Sequence, residues 1–332
     1  MSNDFRLIIT KTPLRITFTG GGTDIPAYYR KYGPGAVVSA TINKYIYVTV
    51  AKNFYRDEIR VSYSKTENAI KNVDDIQHPT VRESLKLLDI KSGIQIISIT
   101  EIPSRGTGLG SSSSFLVGLL NALHAWRGEA VPPKQIAEEA VKIEREILKE
   151  PGGKQDQYMA AFGGINLMEF FPDENVSVKP TLLKAEDRKM LNDHLIMLYT
   201  GIERDSTKIH NEQMNTVDDR VENYRKMVEI AYKTYNLFSR GKWEDLGYLL
   251  HENWMMKKEL SNGITNEKID EWYKRAIDAG AIGGKLMGAG GGGFLLFFIS
   301  PEKRENLKNA LRELPEEQFK FEPFGSRILY LE

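Results

Sequence analysis

Short apolar-rich segments separated by polar turn residues mark the first hundred residues. β-Branched and aromatic residues with turn residues between them predict strands at 6–11 (RLIITK), 15–20 (RITFTG), 36–43 (AVVSATIN), 44–51 (KYIYVTVA), 58–64 (EIRVSYS) and 94–102 (IQIISITEI). The period then lengthens. From Ser112 to Trp126 and from Pro133 to Leu148 the apolar residues recur at helical spacing, and Pro132-Pro133 marks the second helix start. Residues 164–171 (GINLMEFF) and 194–200 (HLIMLYT) read as strands again. Amphipathic helical patterns fill 205–279, followed by a glycine-rich turn, a strand at 294–300 (FLLFFIS), a helix from Pro301 to about Leu314 and a last strand, RILYLE. Strands and helices mix without a strict βαβ repeat, so the fold class is α+β. The polar segment 172–184 carries two prolines and predicts a boundary, dividing the chain into domains 1–178 and 179–332.

Composition narrows the partners. The 332 residues carry 45 Lys plus Arg and 45 Asp plus Glu, so no net charge marks the chain for nucleic acid or an anionic membrane. With no cysteine, disulfides, thiol nucleophiles and Cys-ligated metals are excluded. The opening MSNDFRLIIT lacks the pattern of a secretory signal, and no run approaches the ~18 apolar residues of a membrane span. A cytoplasmic location and a small-molecule partner are expected.

Glycine is concentrated at 20–22, at 106–110 and at 283–293, where seven of eleven residues are Gly. Glycine lets a backbone approach a phosphate and present its N–H groups. In the middle cluster, PSRGTGLGSSSSFLVGLLNALHAW runs from a strand through glycines and serines into an apolar helix, aiming the helix N-terminus at whatever lies over the loop. A nucleoside triphosphate suits that arrangement, although the G-x-x-x-x-G-K-[ST] motif and the protein-kinase signatures are absent. A G-x-G-x-x-G does occur at Gly288, Gly290 and Gly293, but it leads into a strand instead of opening a helix, which argues against a dinucleotide fold.

Two acids stand out. At ~100° per residue, Glu144 falls near the middle of the apolar face made by Ile136, Ala137, Ala140, Val141, Ile143, Ile147 and Leu148. A carboxylate there needs a metal or a salt bridge. Asp156, in EPGGKQDQY, is read as part of a short loop, with Lys154 near enough to keep it ionised or, alternatively, with the Asp making only a turn.

These residues together resemble the GHMP kinases, the superfamily of galactokinase, mevalonate kinase and homoserine kinase. TPLRITFTGGGTD (12–24), PSRGTGLGSSSS (103–114) and KLMGAGGGGF (285–294) are similar to its three motifs, in order. The resemblance implies a ribosomal protein S5-like N-terminal domain and a ferredoxin-like C-terminal domain, with ATP and substrate between them. It places ATP phosphates on Gly106, Thr107, Gly108, Leu109, Gly110, Ser111, Ser112 and Ser113, and Mg²⁺ on Ser112, or its neighbour Ser111, and Glu144. Asp156 matches the catalytic aspartate, and Arg15 would stabilise the transferring charge. Arg15, Gly21, Gly22, Thr23, Asp24, Lys154, Arg204, Gly290 and Gly291 are the expected substrate residues. Gly21-Gly22 stands where galactokinases carry Glu-His, and one extra residue between Pro103 and Gly108 leaves Arg105 and Thr107 in unusual positions. Both features resemble the branch that phosphorylates the anomeric hydroxyl of D-glycero-D-manno-heptose 7-phosphate. Other acceptors to weigh are an unphosphorylated sugar and a mevalonate-like alcohol, and a reading of another class is a non-catalytic sugar- and ATP-binding regulator. A phosphorylated acceptor needs a second anion site; Lys11, Arg15, Arg30, Arg105, Lys154, Arg204 and Lys208 offer the charge, with Arg204 and Ser206 expected at a helix N-terminus.

Overall fold

Two long strands carry the first part of the chain in the computed structural model, which describes residues 6–103, 106–203, 206–238 and 243–332. β1 (Leu7–Thr19) and β2 (Gly35–Lys52) pair antiparallel along most of their length, joined through α1 (Pro26–Tyr32). Then come β3 (Ile59–Ser62), β4 (Thr66–Ile70), α2 (Pro79–Leu87), β5 (Ile94–Thr100), α3 (Ser111–Trp126), α4 (Pro133–Val141) and α5 (Gln155–Phe162), followed by β6 (Ile165–Phe170) and β7 (Val176–Pro180).

The sequence pattern divides β1 and β2 into two strands each, and the structure joins them. Pro13 has no N–H for the ladder, so β1 passes it with a register shift between Pro13 and Leu14 instead of stopping. In β2 the expected break at 43–44 is a change of partner. Gly35–Ala40 pair with β6 and Ile46–Lys52 with β5, so one strand serves two neighbours on the same side. The path of this mixed sheet runs β11-β1-β2-β5-β3-β4, with β6 and β7 branching from β2.

α6 (Ala185–His194) leads into β8 (Leu195–Tyr199), and the long helical patterns become α7 (Ser206–Asn215), α8 (Val221–Phe238), α9 (Trp243–Lys258) and α10 (Glu267–Asp278). β9 (Ala281–Leu286) and β10 (Phe294–Ile299) complete a second, antiparallel sheet of order β8-β10-β9. Every residue of β10 is buried, as its unbroken apolar run requires, and each such side chain contributes roughly 1.5–3 kcal/mol of transfer free energy. The expected helix after Pro301 is a short 3₁₀ turn followed by α11 (Arg304–Ala310). Finally β11 (Arg327–Leu331) returns to the first sheet, where Ile8 faces Leu331 across an antiparallel ladder. Residues 178 and 179, the expected division, both lie inside β7, which pairs with β6 through a turn at 171–175.

Two contacts fix the halves against each other at the site. The N–H of Gly20, beyond the end of β1, donates to Asn253 Oδ1 of α9 at 2.8 Å. Gly293, in the loop before β10, lies against the loop that precedes α3: a Cβ there would stand 2.5 Å from Thr107 O and 2.8 Å from Gly106 O. Its φ of +96° also excludes most side chains. Gly293→Ala is therefore expected to cost about 2 kcal/mol or more, read as a lower denaturation midpoint; an unchanged midpoint would show that the two loops do not depend on each other.

Glu174, in the β6–β7 turn, accepts hydrogen bonds from Tyr29 and Arg30 of α1 and from Lys154 ahead of α5. Burial works to raise its pKa, but these three donors outweigh it and hold it at about 2, against an ordinary 4.5. A folded-state pKa below the unfolded one gives stability that is complete above pH 4.5 and lost as the pH falls toward 2. Glu174→Gln should flatten the fall of melting temperature across that window and leave its steepness elsewhere unchanged.

Candidate active site

Arg15 organises the centre of the molecule. It sits on the buried stretch of β1, and its main-chain N–H donates to Leu109 O at 3.0 Å. Its guanidinium makes a two-pronged pair with Asp156, Nε to Oδ1 and Nη2 to Oδ2 at 2.8 Å each. Nη1 donates to Gly108 O at 2.5 Å. A planar fork with donors on two edges is what a carboxylate and a carbonyl together need. Asp156 occupies the first turn of α5, not the loop expected from the sequence, because that short helix is buried nearly all round from Gln157 to Ala161. Its ion-pair partner is Arg15; Lys154, expected to fill that role, is held by Glu174.

The glycine loop runs directly beneath this pair. Gly106, Gly108 and Gly110 have φ of +73°, +73° and +79°, and Gly110 caps α3 in the left-handed region. A Cβ at Gly110 would lie 3.3 Å from Asp156 Oδ2, so the loop and the acid are immediate neighbours. The exposed N–H groups of the first turn of α3 thus open beside the Arg15–Asp156 pair. Of the serines, Ser114 donates to Pro13 O at 2.9 Å and Ser111 lies 3.4 Å from Thr107 Oγ1. Ser112 and Ser113 turn to Glu144, donating to its two oxygens at 3.1 and 2.8 Å.

Glu144 is buried, 1 % exposed, as the helical wheel predicts. The wheel assumes a regular α-helix, whereas residues 142–147 form a π-turn in which Leu148 N–H reaches back to Ile143 O. The carboxylate is surrounded by donors: the two serine hydroxyls, Gln157 Nε2 and, at 3.7 Å, the Arg145 guanidinium. Hard oxygen atoms of a carboxylate and a hydroxyl lie together here, a set that suits Mg²⁺. No group of three or more His, Asp or Glu side chains among the described residues offers a fuller metal cage.

Asp24 forms the other wall of the pocket. Its oxygens accept from the N–H groups of Gly22 and Gln155, both at 3.1 Å, and from Gln155 Nε2 at 3.3 Å. Burial pushes its pKa up; the Gln155 and Gly22 N–H groups work against that, while the neighbouring charge of Asp156 adds to it. Gly21 and Gly22 line the same pocket, as do Gln155, Gly288, Lys257 and Lys285.

Other expected substrate residues lie elsewhere. Thr23 is buried, with its hydroxyl on the Ala36 backbone. Gly290 and Gly291 pack on Ile264. Among the remaining cations, Lys11 lies over the Tyr45 ring, Arg30 pairs with Glu174 and Lys208 is exposed. Arg105 and Arg204 are outside the described residues. Sequence reasoning missed Gln155, Lys257 and Lys285. Lys285 opens the third motif, but only the closure of the second sheet onto β1 brings it to the pocket.

Residues 70–164 match the GHMP kinases N terminal domain and residues 235–317 the GHMP kinases C terminal domain. The chain is 33% identical over 323 residues to D-glycero-alpha-D-manno-heptose 7-phosphate kinase of Campylobacter jejuni, covering 93% of this chain and 94% of that protein. A crystal structure described as a D-glycero-D-manno-heptose 1-phosphate kinase from Bacteroides thetaiotaomicron superposes with a TM-score of 0.82 at 25% identity, over 98% of this chain and 99% of the other. Lactococcus lactis galactokinase in complex with galactose shares the fold alone, with a TM-score of 0.77 at 17% identity over 99% and 96% of the two chains. Motif order, the loop beneath Arg15 and Asp156, and the similarity along nearly the whole chain agree: the chain belongs to the GHMP kinase family, ATP-using phosphotransferases with an alcohol group as acceptor.

Proposed function

We propose that this kinase transfers the γ-phosphoryl group of ATP to the anomeric hydroxyl of D-glycero-D-manno-heptose 7-phosphate. The observation that carries the chemistry is the Arg15–Asp156 pair standing on the glycine loop, within a pocket also lined by Asp24 and three further cations, Arg145, Lys257 and Lys285. The acceptor rests on the likeness to the Campylobacter relative.

Each group has a physical task in this reading. Backbone N–H groups of residues 106–113 and the positive end of α3 hold the ATP phosphates. Asp156, fixed by two guanidinium bonds, accepts the hydrogen bond of the incoming hydroxyl and sets its direction. Phosphoryl transfer is mainly positioning and charge stabilisation, so full removal of the proton before transfer is not required. Arg15 steadies the negative charge that spreads over the moving phosphoryl oxygens. Asp24 and the backbone at Gly21 and Gly22 receive sugar hydroxyls. Ser112 and Glu144 would hold Mg²⁺: the hydroxyl donates a hydrogen bond to Glu144 and keeps its lone pairs for a cation. When bound, Mg²⁺ neutralises charge on the β and γ oxygens.

Asp156→Asn keeps the shape and removes the charge, and is expected to lower turnover by ~10²-fold or more with ATP affinity nearly unchanged. Glu144→Gln should raise the Mg²⁺ concentration needed for half-maximal rate; a shift in melting temperature alone would mark Glu144 as a structural partner. ADP release measured with heptose 7-phosphate, heptose 1-phosphate, free heptose, mannose and fucose tests the acceptor. Heptose 7-phosphate should give the highest kcat/KM, and preference for an unphosphorylated sugar overturns the assignment.

A further inference from the structure

Lys285 lies on β9 opposite Leu296 of β10, and it is among the largest fully buried side chains, 1 % exposed. Its side chain lines the pocket that holds Arg15, Asp24 and Asp156. Among the described residues its ammonium has no hydrogen bond and no salt bridge. The two acids of the pocket are engaged elsewhere, Asp156 by Arg15 and Asp24 by Gln155 and the Gly22 N–H. The neighbouring charges are positive. Lys257, itself buried, donates to Gly288 O at 2.5 Å, and burial followed by the fields of Lys257 and Arg15 pushes the Lys285 ammonium well below its ordinary pKa.

A buried cation next to two others costs free energy in proportion to the charge it is denied. Of the cations lining the pocket, Arg15 is held by Asp156 and Arg145 lies 3.7 Å from Glu144, whereas Lys285 has no counter-charge among the described residues; a phosphate anion in the pocket would supply one. The loop that Lys257 grips continues to Gly293, which lies against the phosphate loop at Gly106 and Thr107, so the same segment borders both regions.

From this we infer that Lys285, supported by Lys257, is a phosphoryl-binding residue of this pocket, receiving either the γ-phosphoryl group in transfer or the phosphate already on the acceptor. The inference rests on the kinase reading for its two sources but not for its chemistry, since any phosphate monoester supplies the missing charge. A structural lysine would behave differently from a ligand-binding one. Replacing a buried, unpaired cation with an apolar chain of similar volume relieves the protein, whereas replacing a structural one weakens it.

The test compares full-length wild type, Lys285→Met and Lys285→Arg. Without ligand, Lys285→Met should melt at the same temperature as wild type or higher. Binding of inorganic phosphate in the presence of ADP, followed by calorimetry and needing no sugar, should weaken by ~10–100-fold in Lys285→Met, with partial recovery in Lys285→Arg. Kinetics then separates the sources. A fall in kcat with either KM changed less than threefold identifies the transferring group. A rise in KM for heptose 7-phosphate, with free heptose unaffected, identifies the acceptor's phosphate. If wild type does not use heptose 7-phosphate, the acceptor assignment fails while the calorimetric arm still decides the role of Lys285. Unchanged phosphate affinity, or a lower melting temperature with intact kinetics, overturns the inference. Should Lys285→Met not fold, Lys257→Met is measured in the same way, and unaltered phosphate binding there also counts against it.

Discussion

A guanidinium buried in a protein must find acceptors for its donors, and Arg15 finds them on two separate elements. Asp156 on α5 takes one edge and Gly108 O on the glycine loop takes another, while the Arg15 main chain holds Leu109. Three pieces of chain far apart in sequence are thus locked at one point. Removing the Asp156 side chain would leave the buried Arg15 guanidinium without its counter-charge, a loss of roughly 3–5 kcal/mol, so strand, loop and helix are constrained to move together. Asp156 keeps part of its surface open, its side chain 23% exposed, and so can meet a ligand while remaining tied.

Glu144 shows the same logic one layer deeper. Its four donors come from α3, α5 and its own π-turn, so the carboxylate joins the helix that follows the glycine loop to the helix that carries Asp156. The π-turn is a local departure from regular geometry at the residue with the most demanding surroundings, which is where such departures tend to be found. Arg15 and Glu144 therefore both act at the N-terminal ends of α3 and α5, one through β1 and one through the turn after α4.

Much of this was legible in the sequence, for identifiable reasons. Helix α3 follows from its apolar run, and the burial of Glu144 from helical periodicity, since both depend on neighbours within a few residues. The motifs locate Arg15, Asp24 and the loop by their wording, and Asp156 follows from its place about twelve residues beyond Glu144, as in the family that the chain resembles. What was not legible depends on contacts between distant segments. Pro13 looks like a strand end until β2 supplies a partner across the bulge. Asp156 looks like a loop residue because α5 is short and is held by packing. Lys154 looks like the partner of Asp156 from its spacing, but Glu174, twenty residues on, competes for it and Arg15 takes its place. Lys285 reads in the sequence as part of a glycine-rich turn, whereas it lies on β9, and nothing local reveals that it is buried.

The return of β11 to β1 has a consequence for how the molecule is made. The edge of the first sheet is closed by residues that follow the entire second sheet in the chain, and Thr41 on β2 is likewise bonded to Glu322. During synthesis the first sheet emerges with the backbone groups of β1 unpaired along one side, an open template for any passing strand. It stays in that state until the second sheet has formed and the tail has crossed back over. Completion of the first sheet is then tied to the ribosome's progress through the residues of the second, and the period of exposure grows with the time that their translation takes.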